Sequence, residues 1–198
     1  MQASTLNDDK LFSVVLAAGK SSRFGALKQL AKYRGRTLTR GALDLARQAT
    51  GERSLLVTGA QWGKVAADAF PAKGFFVRND AFEEGIASSI ACGVRAIEQV
   101  ADAVLIMLAD QPMISAEHLQ GMKACWQASP SCIIASEFAH TAGPPIIFPV
   151  AYFPSLKALK GDRGARALLQ HHAEEVIRVP FSDAAIDIDT QDDLERID

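Results

Sequence analysis

The stretch that decides the fold is residues 11–28, LFSVVLAAGKSSRFGALK, in which an apolar run passes directly into a loop of small and polar residues. The run is apolar at nearly every position, as expected for a strand covered on both faces. Ala17, Ala18 and Gly19 then let the backbone approach a ligand closely and leave backbone amides free to face an anion. In open α/β sheets ligands sit at the carboxyl ends of strands. We therefore predict a ligand-binding loop after a buried strand.

This loop fits neither of the two common phosphate-binding patterns. A dinucleotide fold shows G-x-G-x-x-G, and a P-loop shows G-x-x-x-x-G-K-[ST]. Here Gly19 and Gly25 are one residue too far apart for the second pattern, and Ala26 stands where its lysine belongs. The first pattern lacks its glycine pair.

The polar side chains of the loop nevertheless suit a polyphosphate. Ser21 and Ser22 offer hydroxyl donors, Arg23 offers a planar fork for phosphate oxygens, and Lys28 offers a compact charge. The alternative is an ordinary strand-to-helix turn whose cations face solvent. We favour the ligand loop, because Arg23 and Lys28 are crowded into one segment with two hydroxyls.

Further apolar runs with helical stretches between them predict one α/β domain over residues 1–198, of which residues 1–10 form a flexible tail. The alternation indicates a three-layer fold with a mostly parallel central sheet. The runs are LFSVVLA (11–17), SLLVTG (54–59), GFFVRN (74–79), AVLIMLA (103–109), CIIAS (132–136), PPIIF (144–148) and VIRVP (176–180). The predicted helices cover 38–49, 62–70, 88–99, 116–127, 164–172 and 191–197.

Composition and charge exclude several classes of protein. The chain is 48% hydrophobic and 22% charged with a net charge of -2, so no basic surface for nucleic acid is expected. The longest apolar run, 103–109, is far shorter than the ~20 residues of a membrane span, and the first residues lack a signal-peptide core. The three cysteines form no C-x-x-C pair, so neither a disulfide framework nor a zinc site is predicted. We expect a cytoplasmic protein that does not bind membranes.

Acidic residues near two strand ends predict a metal site. Asp110 follows the apolar run 103–109, where a carboxylate is costly unless it is paired. Mg²⁺ is held by one or two carboxylates together with phosphate oxygens. Asp110 could instead cap the next helix, but Ser115 is the better-placed cap. Asp187 and Asp189 are two apart and point to the same side of an extended segment, so one of them could complete the site while the other satisfies backbone amides.

Two segments near the C-terminus predict helix starts. In LKGDRGARALL (159–169), Asp162 is a natural N-cap, while Arg163 and Arg166 could bind a second anionic ligand on the first turn. Thr190 and Asp193 match the capping pattern [ST]-x-x-[DE], and we assign both to helix initiation.

These segments, in this order, resemble the nucleotidyltransferases that attach a nucleotide to molybdopterin, in particular the molybdenum cofactor cytidylyltransferase branch. The resemblance extends over nearly the whole chain and implies a Rossmann-like α/β nucleotidyltransferase fold. It rests on LAAGKSSRFGALK (16–28), NDAFEEGIASSIACGV (79–94), LADQP (108–112), GPPIIF (143–148), LKGDRGARALL (159–169) and DIDTQDDL (187–194).

The resemblance also implies roles for individual residues. Those expected at the triphosphate are Ala18, Gly19, Arg23 and Lys28, to which the loop chemistry adds Ser21. Those expected at the base and ribose are Asn79, Gly85 and Ser89, with Ser88 as the alternative to Ser89. Mg²⁺, or Mn²⁺ in its place, is expected on Asp110 with Asp187 and Asp189. We add Asp162 and Arg166 as ligand-binding residues and take Arg23, Lys28 and Asp110 as catalytic.

The implied reaction transfers CMP from CTP to the phosphate of molybdenum-molybdopterin, giving molybdopterin cytosine dinucleotide and pyrophosphate. Guanylyl-transferring relatives usually carry a second glycine where this chain has Ala18, so CTP is the preferred donor. A molybdoenzyme that receives the product is a further expected partner. The alternatives are guanylyl or other nucleotidyl transfer to a different small phosphorylated acceptor, and a non-catalytic carrier of the molybdenum cofactor.

Overall fold

The computed structural model describes residues 10–21, 24–69, 75–162 and 164–197. The strands are β1 (Leu11–Ala17), β2 (Lys32–Tyr33), β3 (Arg36–Thr37), β4 (Ser54–Thr58), β5 (Phe75–Arg78), β6 (Ala103–Leu108), β7 (Ile133–Phe138), β8 (Thr141–Pro149) and β9 (Val176–Pro180). The helices are α1 (Leu38–Thr50), α2 (Trp62–Ala69), α3 (Ile86–Ile97), α4 (Ala116–Ala128), α5 (Phe153–Lys157), α6 (Arg166–His171) and α7 (Gln191–Ile197).

Seven of these strands form one central sheet in the order β5-β4-β1-β6-β8-β7-β9, and β2 pairs with β3 in a separate hairpin. Strand β8 runs antiparallel to both of its neighbours, whereas the other pairings within the central sheet are parallel. The predicted α/β fold with a mostly parallel sheet is therefore confirmed. Strands β1 and β6 lie side by side near the centre, so the loops that follow them leave the sheet at the same edge.

Helices cover both faces of the sheet, which explains why its central strands are apolar at successive positions. Val15 of β1 packs with Ala46 of α1 and Met122 of α4 on one face. Val14, the preceding residue, packs with Val94 of α3 and Leu156 of α5 on the other. All six side chains are fully buried, and successive residues of a strand point to opposite faces. A sequence buried on both sides cannot show the polar alternation of a half-exposed strand.

The boundaries of the predicted helices lie within two residues of those in the structure, and the shift at the start of α6 has a local cause. The helix predicted at 164–172 begins two residues later, at Arg166, because Gly164 has a left-handed φ of 55° that does not continue into an α-helix. The expectation that Asp162 caps this helix is wrong, since Ala165 is its N-cap and no side chain bonds to the cap. The short hairpin β2–β3 and the short helix α5 were not predicted.

The predicted caps of two other helices are confirmed. Ser115 Oγ accepts a hydrogen bond of 3.2 Å from the backbone nitrogen of His118 at the start of α4. Thr190 and Asp193 form a reciprocal capping box at the start of α7, with bonds of 2.8 and 3.2 Å. The backbone nitrogen of Lys10, the last residue of the predicted tail, donates a bond to Asp102 Oδ2, and its carbonyl oxygen accepts one from the backbone nitrogen of Asp102. Residues 1–9, which we predicted to be flexible, lie outside the described residues.

No helix within the described part of the chain is long and apolar enough to cross a membrane.

A buried histidine on α4 makes stability depend on pH. His118 stacks on Phe181 with ring centroids 4.1 Å apart, and its Nε2 lies 2.8 Å from Ser136 Oγ. Burial lowers the pKa of His118 below its ordinary value of 6.5, because the charged imidazolium is poorly solvated there. The unfolded chain then takes up a proton at a higher pH than the folded protein does. This group's contribution to stability is therefore full above pH 6.5 and is lost as the pH falls to the lowered pKa.

We expect His118→Gln, which retains a polar group near Ser136, to flatten the pH dependence of stability. The free energy of unfolding, measured by urea titration between pH 7.5 and 5, should fall less steeply in the variant than in the wild type below pH 6.5. Above pH 7 the two slopes should agree, which serves as the internal control. Equal slopes below pH 6.5 would show that His118 does not titrate differently in the folded state.

Candidate active site

A cleft crosses the carboxyl ends of β1 and β6, where the sequence predicts the ligand loop and the metal site. Leu16, at the end of β1, borders each of three adjoining cavities. The smallest, of about 180 Å³, surrounds Lys28 and Asp110. We call the second, of about 530 Å³, the α3 pocket, because Ser89 of α3 lines it. The third, of about 770 Å³, is the α6 pocket, because Arg166 of α6 lines it.

A buried glutamine holds the ligand loop in shape. Gln29 is 5% exposed, and its Nε2 donates a 2.7 Å hydrogen bond to the carbonyl oxygen of Gly19. Its Oε1 accepts a 2.9 Å bond from Ser21 Oγ, so the hydroxyl that we assigned to a ligand is used within the loop in this structure. Ser21 has a left-handed φ of 57°, which the bond to Gln29 helps to maintain. Sequence reasoning missed Gln29; the available signal was a polar residue directly after Lys28 at the end of the loop.

The end of β4 lies so close to the loop that only glycine fits there. A Cβ on Gly59 would lie 2.6 Å from the carbonyl oxygen of Ala18 and 2.8 Å from Phe82 Cβ. The backbone nitrogen of Ala60 donates a 3.1 Å bond to the same Ala18 oxygen. Gly59 therefore allows the backbone that follows β4 to approach Ala18 and bond to its carbonyl oxygen. Sequence reasoning missed this residue as well, although a glycine directly after a strand was a signal for it.

Lys28 and the predicted metal ligands meet at the edge of the sheet. Lys28 Nζ lies 2.6 Å from Asp110 Oδ2 and 3.2 Å from Asp189 Oδ1. The backbone nitrogen of Ile188 donates a 2.9 Å bond to the carbonyl oxygen of Asp110, which joins the C-terminal acidic segment to the end of β6. Ile188 is fully buried, so the acidic residues on either side of it, Asp187 and Asp189, are fixed next to the cleft.

Among the carboxylates that the structure describes, Asp187 is the one whose environment most disfavours its charge. The residue is exposed to the α6 pocket, yet the surrounding protein desolvates its carboxyl group. This burial, followed by the nearby charge of Asp110, raises the pKa of Asp187 to about 6. Its contribution to stability is present below pH 3.8 and is lost as the pH rises through about 6, because the folded state holds the proton more tightly than the unfolded state.

The donor chemistry of these carboxylates suits a hard divalent cation. Oxygen ligands are those that Mg²⁺ and Mn²⁺ prefer. No group of three or more His, Cys, Asp or Glu side chains in the ranges 10–21, 24–69, 75–162 and 164–197 is arranged to hold a metal ion. Two carboxylates with ligand oxygens are enough for Mg²⁺, however, and Asp110 and Asp189 already have a cation, the Lys28 ammonium, between them.

The residues predicted for the base and ribose divide into two groups. Gly85 and Ser89 line the α3 pocket, together with Ala18 and Gly19. Asn79 is 5% exposed, and its Nδ2 donates bonds of 2.8 and 3.0 Å to Ser88 Oγ and Ser89 Oγ. Asn79 Oδ1 accepts a bond from the backbone nitrogen of Ala81, so the amide oxygen holds the turn after β5 while the amide nitrogen positions the start of α3. Whether these residues contact a ligand stays a prediction.

The loop before α6 closes one side of both large pockets. The carbonyl oxygen of Gly161 accepts a 3.1 Å bond from the backbone nitrogen of Ala87 on α3. Asp162 lines both pockets and lies so close to Gly85 that a Cβ there would overlap Asp162 Oδ1. Asp162 thus forms part of the cleft wall, and Arg166 lines the α6 pocket. Arg23, predicted to be catalytic, and Arg163 lie outside the described residues.

Comparison with known proteins shows which family the sequence and fold are similar to. The MobA-like NTP transferase domain matches residues 13–176. The purine catabolism protein PucB of Bacillus subtilis (strain 168) is 34% identical over 199 residues, which cover 94% of this chain and 95% of PucB. The crystal structure of Rv0371c from Mycobacterium tuberculosis H37Rv has a TM-score of 0.83 at 29% identity, over 96% of this chain and 97% of that one.

Two further crystal structures share the fold. A manganese complex of Rv0371c has a TM-score of 0.79 at 27% identity, over 95% of this chain and 97% of that one. The molybdopterin-guanine dinucleotide biosynthesis protein A from Archaeoglobus fulgidus has a TM-score of 0.67 at 16% identity, over 93% of this chain and 95% of that one, which shows the fold alone. Because the family match covers most of the sequence and PucB aligns over nearly its full length, the chain belongs to the family of MobA-like NTP transferase domains and is a nucleotidyltransferase of that family.

Proposed function

We propose that this protein transfers CMP from CTP to the phosphate of molybdenum-molybdopterin, releasing pyrophosphate. The observation that carries the proposal is the pairing of Lys28 with Asp110, 2.6 Å apart, beside a glycine-containing loop at the end of β1. Phosphoryl chemistry between two anions depends on positioning and on positive charge. A cation and a metal-type carboxylate beside a loop with exposed backbone are the groups that this chemistry requires.

The α3 pocket is the proposed nucleotide site. Its wall next to the loop consists of Ala18 and Gly19, whose small side chains let the backbone approach a triphosphate. Gly85 and Ser89 also line this pocket, and the ribose and base would lie against them. The alanine at position 18, in place of a second glycine, supports CTP as the donor.

The α6 pocket is the proposed acceptor site. Ile106 and Phe138 give it an apolar surface that suits a flat ring system, while Gln111, Gln170 and Arg166 supply polar groups. The pocket shares Leu16, Leu108 and Asp162 with the nucleotide site. An acceptor phosphate directed toward this shared wall would approach the α-phosphorus of the nucleotide.

In the proposed reaction a phosphate oxygen of the acceptor forms a bond to the α-phosphorus while the bond to the leaving pyrophosphate breaks. The attacking oxygen is already anionic near neutral pH, so no general base is needed. Lys28 offsets charge on the triphosphate, and the loop backbone orients it. Mg²⁺, or Mn²⁺ in its place, would be held by Asp110 with Asp187 or Asp189 and would supply further positive charge when bound.

The relatives support parts of this proposal. Rv0371c has been crystallised with manganese and is similar to this protein over nearly the whole chain. This similarity supports a divalent cation of the same type in the proposed site. The fold shared with the molybdopterin-guanine dinucleotide protein is compatible with a molybdopterin acceptor. We extend the proposal to a cytoplasmic location and to delivery of the product to a molybdoenzyme.

The test is product formation by the purified protein with Mg²⁺ and molybdenum-loaded molybdopterin, with CTP, GTP, ATP and UTP in separate reactions. We expect cytosine dinucleotide and pyrophosphate with CTP alone, detected by chromatography and phosphate release. Product with GTP instead of CTP would show that GTP is the donor and that the reaction is guanylyl transfer. Cofactor binding without product from any nucleotide would indicate a carrier.

Gln29 offers a test of the loop's role in binding the triphosphate. Gln29→Met keeps the side-chain volume but removes the bonds to Gly19 and Ser21. We expect the KM for the nucleotide to rise about tenfold with a smaller change in kcat, because the loop contributes binding to ground and transition states alike. The free energy of unfolding should fall by about 1–2 kcal/mol.

Gln99→Met is the matched control for this prediction, because Gln99 is exposed after the end of α3. Its kinetic constants and stability should equal those of the wild type. A Gln29→Met protein with an unchanged KM would show that the loop keeps its shape without these two bonds.

A further inference from the structure

We infer that Lys28 occupies the cation position of the active site in the nucleotide-free protein and keeps metal affinity low until a triphosphate draws its ammonium group away. The inference rests on the proposed function, because it adds the order in which that site takes its metal and its nucleotide. The Lys28 ammonium group lies between the carboxylates of Asp110 and Asp189, where a divalent cation would also be held.

The contacts of the ammonium group leave no room for a metal ion between the same oxygens. Lys28 Nζ is within hydrogen-bond distance of both Asp110 Oδ2, at 2.6 Å, and Asp189 Oδ1, at 3.2 Å. Mg²⁺ binds carboxylate oxygens at about 2.0–2.1 Å and demands near-octahedral geometry. An ammonium nitrogen and a metal ion cannot both lie between these two carboxylates. At this position between Asp110 and Asp189, binding of one therefore excludes the other.

The ammonium is also a strong competitor, because solvent screens it little. The side chain of Lys28 is 14% exposed and that of Asp110 is 26% exposed. Charge-assisted bonds of this length in a partly buried site are stronger than surface ion pairs. A metal ion that arrives alone must displace this cation and also lose part of its own hydration shell, so its affinity is lowered.

A triphosphate changes this balance in two ways that act in the same direction. The cavity around Lys28 is also lined by Gly19 and Ser21 of the ligand loop, so phosphate oxygens bound there lie next to the ammonium group. Lysine carries its charge on a flexible four-carbon stem. Its ammonium group can therefore exchange hydrogen bonds to carboxylate oxygens for hydrogen bonds to phosphate oxygens. The phosphates also supply oxygen ligands to the metal. By linkage, each ligand then raises the affinity for the other.

The first test is Mn²⁺ binding without nucleotide, followed by the electron paramagnetic resonance signal of free Mn²⁺. Lys28→Met should bind Mn²⁺ at least about tenfold more tightly than the wild type, because the competing cation is gone. Lys28→Arg, which retains the charge, should stay as weak as the wild type. Circular dichroism and thermal melting would verify that each variant is folded.

Two controls isolate the position of the charge. Lys20→Met removes a cation of the same loop whose Nζ lies 2.6 Å from Glu83 at the rim of the α3 pocket, and it should leave Mn²⁺ affinity unchanged. Asp110→Asn added to Lys28→Met should abolish the gain. Wild-type affinity in Lys28→Met, or an equal gain in Lys20→Met, would overturn the inference.

The second test adds a saturating CTP analogue with a methylene group between its α- and β-phosphates. The gain in Mn²⁺ affinity on adding the analogue should be at least about tenfold larger in the wild type than in Lys28→Met, since only the wild type must release the ammonium. Chelation of Mn²⁺ by the analogue itself is common to both proteins and cancels. Equal gains would overturn the coupling.

The first test uses neither nucleotide nor acceptor, so its outcome does not depend on which nucleotide the protein transfers. Tighter Mn²⁺ binding by Lys28→Met, together with failure of the CTP assay, would leave the inference standing and remove only the proposed donor. Cytidylyl transfer by the wild type, together with unchanged Mn²⁺ affinity in Lys28→Met, would support the proposed donor and overturn the inference.

Discussion

Asp110→Asn is expected to reduce kcat for nucleotidyl transfer by at least about 10³-fold while the protein stays folded. Asparagine has the same shape as aspartate but no charge, so the side chain can no longer hold a divalent cation or pair ionically with Lys28 Nζ, 2.6 Å away. Stability should change little, because the substitution also relieves repulsion between the carboxylates of Asp110 and Asp187. Pyrophosphate release under single-turnover conditions measures the chemical step directly.

Asp102→Asn is the matched control for this variant. Asp102 precedes β6 at the opposite end of the same strand and is exposed, with its Oδ2 accepting a 3.2 Å bond from the backbone nitrogen of Lys10. Its activity should equal that of the wild type. An Asp110→Asn protein with activity close to that of Asp102→Asn would remove Asp110 from the mechanism.

Gly85→Ala should cause the second-largest loss, by deforming the wall between the two pockets. Gly85 has a φ of 97°, and a Cβ there would lie 2.6 Å from the carbonyl group of Gly161 and would overlap Asp162 Oδ1. The chain at Gly161 cannot move away without breaking its bond to the backbone nitrogen of Ala87. We expect kcat/KM to fall about 10²-fold and the free energy of unfolding to fall by about 2–3 kcal/mol.

Gly51→Ala separates this steric effect from backbone strain. Gly51 follows α1 with a φ of 62°, and nothing lies within 4 Å of the Cβ position. This variant should lose about 1 kcal/mol of stability from the left-handed conformation alone and keep a normal kcat/KM. If Gly85→Ala behaves like Gly51→Ala in both measurements, the contact with the loop before α6 does not shape the site.

The sequence by itself determined the parts of this protein that depend on neighbours along the chain. The apolar run 11–17 predicted β1, and its continuity predicted burial on both faces, because a strand covered by helices needs no polar alternation. Ser115 and Thr190 predicted helix starts because a capping side chain bonds to backbone groups only a few residues away. Asp110 could be singled out because a carboxylate at the end of a buried strand needs a partner.

The tertiary structure alone decided how the site is assembled from distant segments. Asp162 looked like a helix cap, yet it is part of the cleft wall beside Gly85, because the turn at Gly164 delays the start of α6. Gln29 and Gly59 carried only weak local signals. The groups that they contact, Gly19 and Ala18, belong to the loop after β1 and are brought next to them only when the chain folds. Lys28 meets carboxylates that lie 82 and 161 residues further along the chain. No pattern of local spacing encodes such contacts, because they depend on the order of strands in the sheet and on the burial of Ile188 beside it.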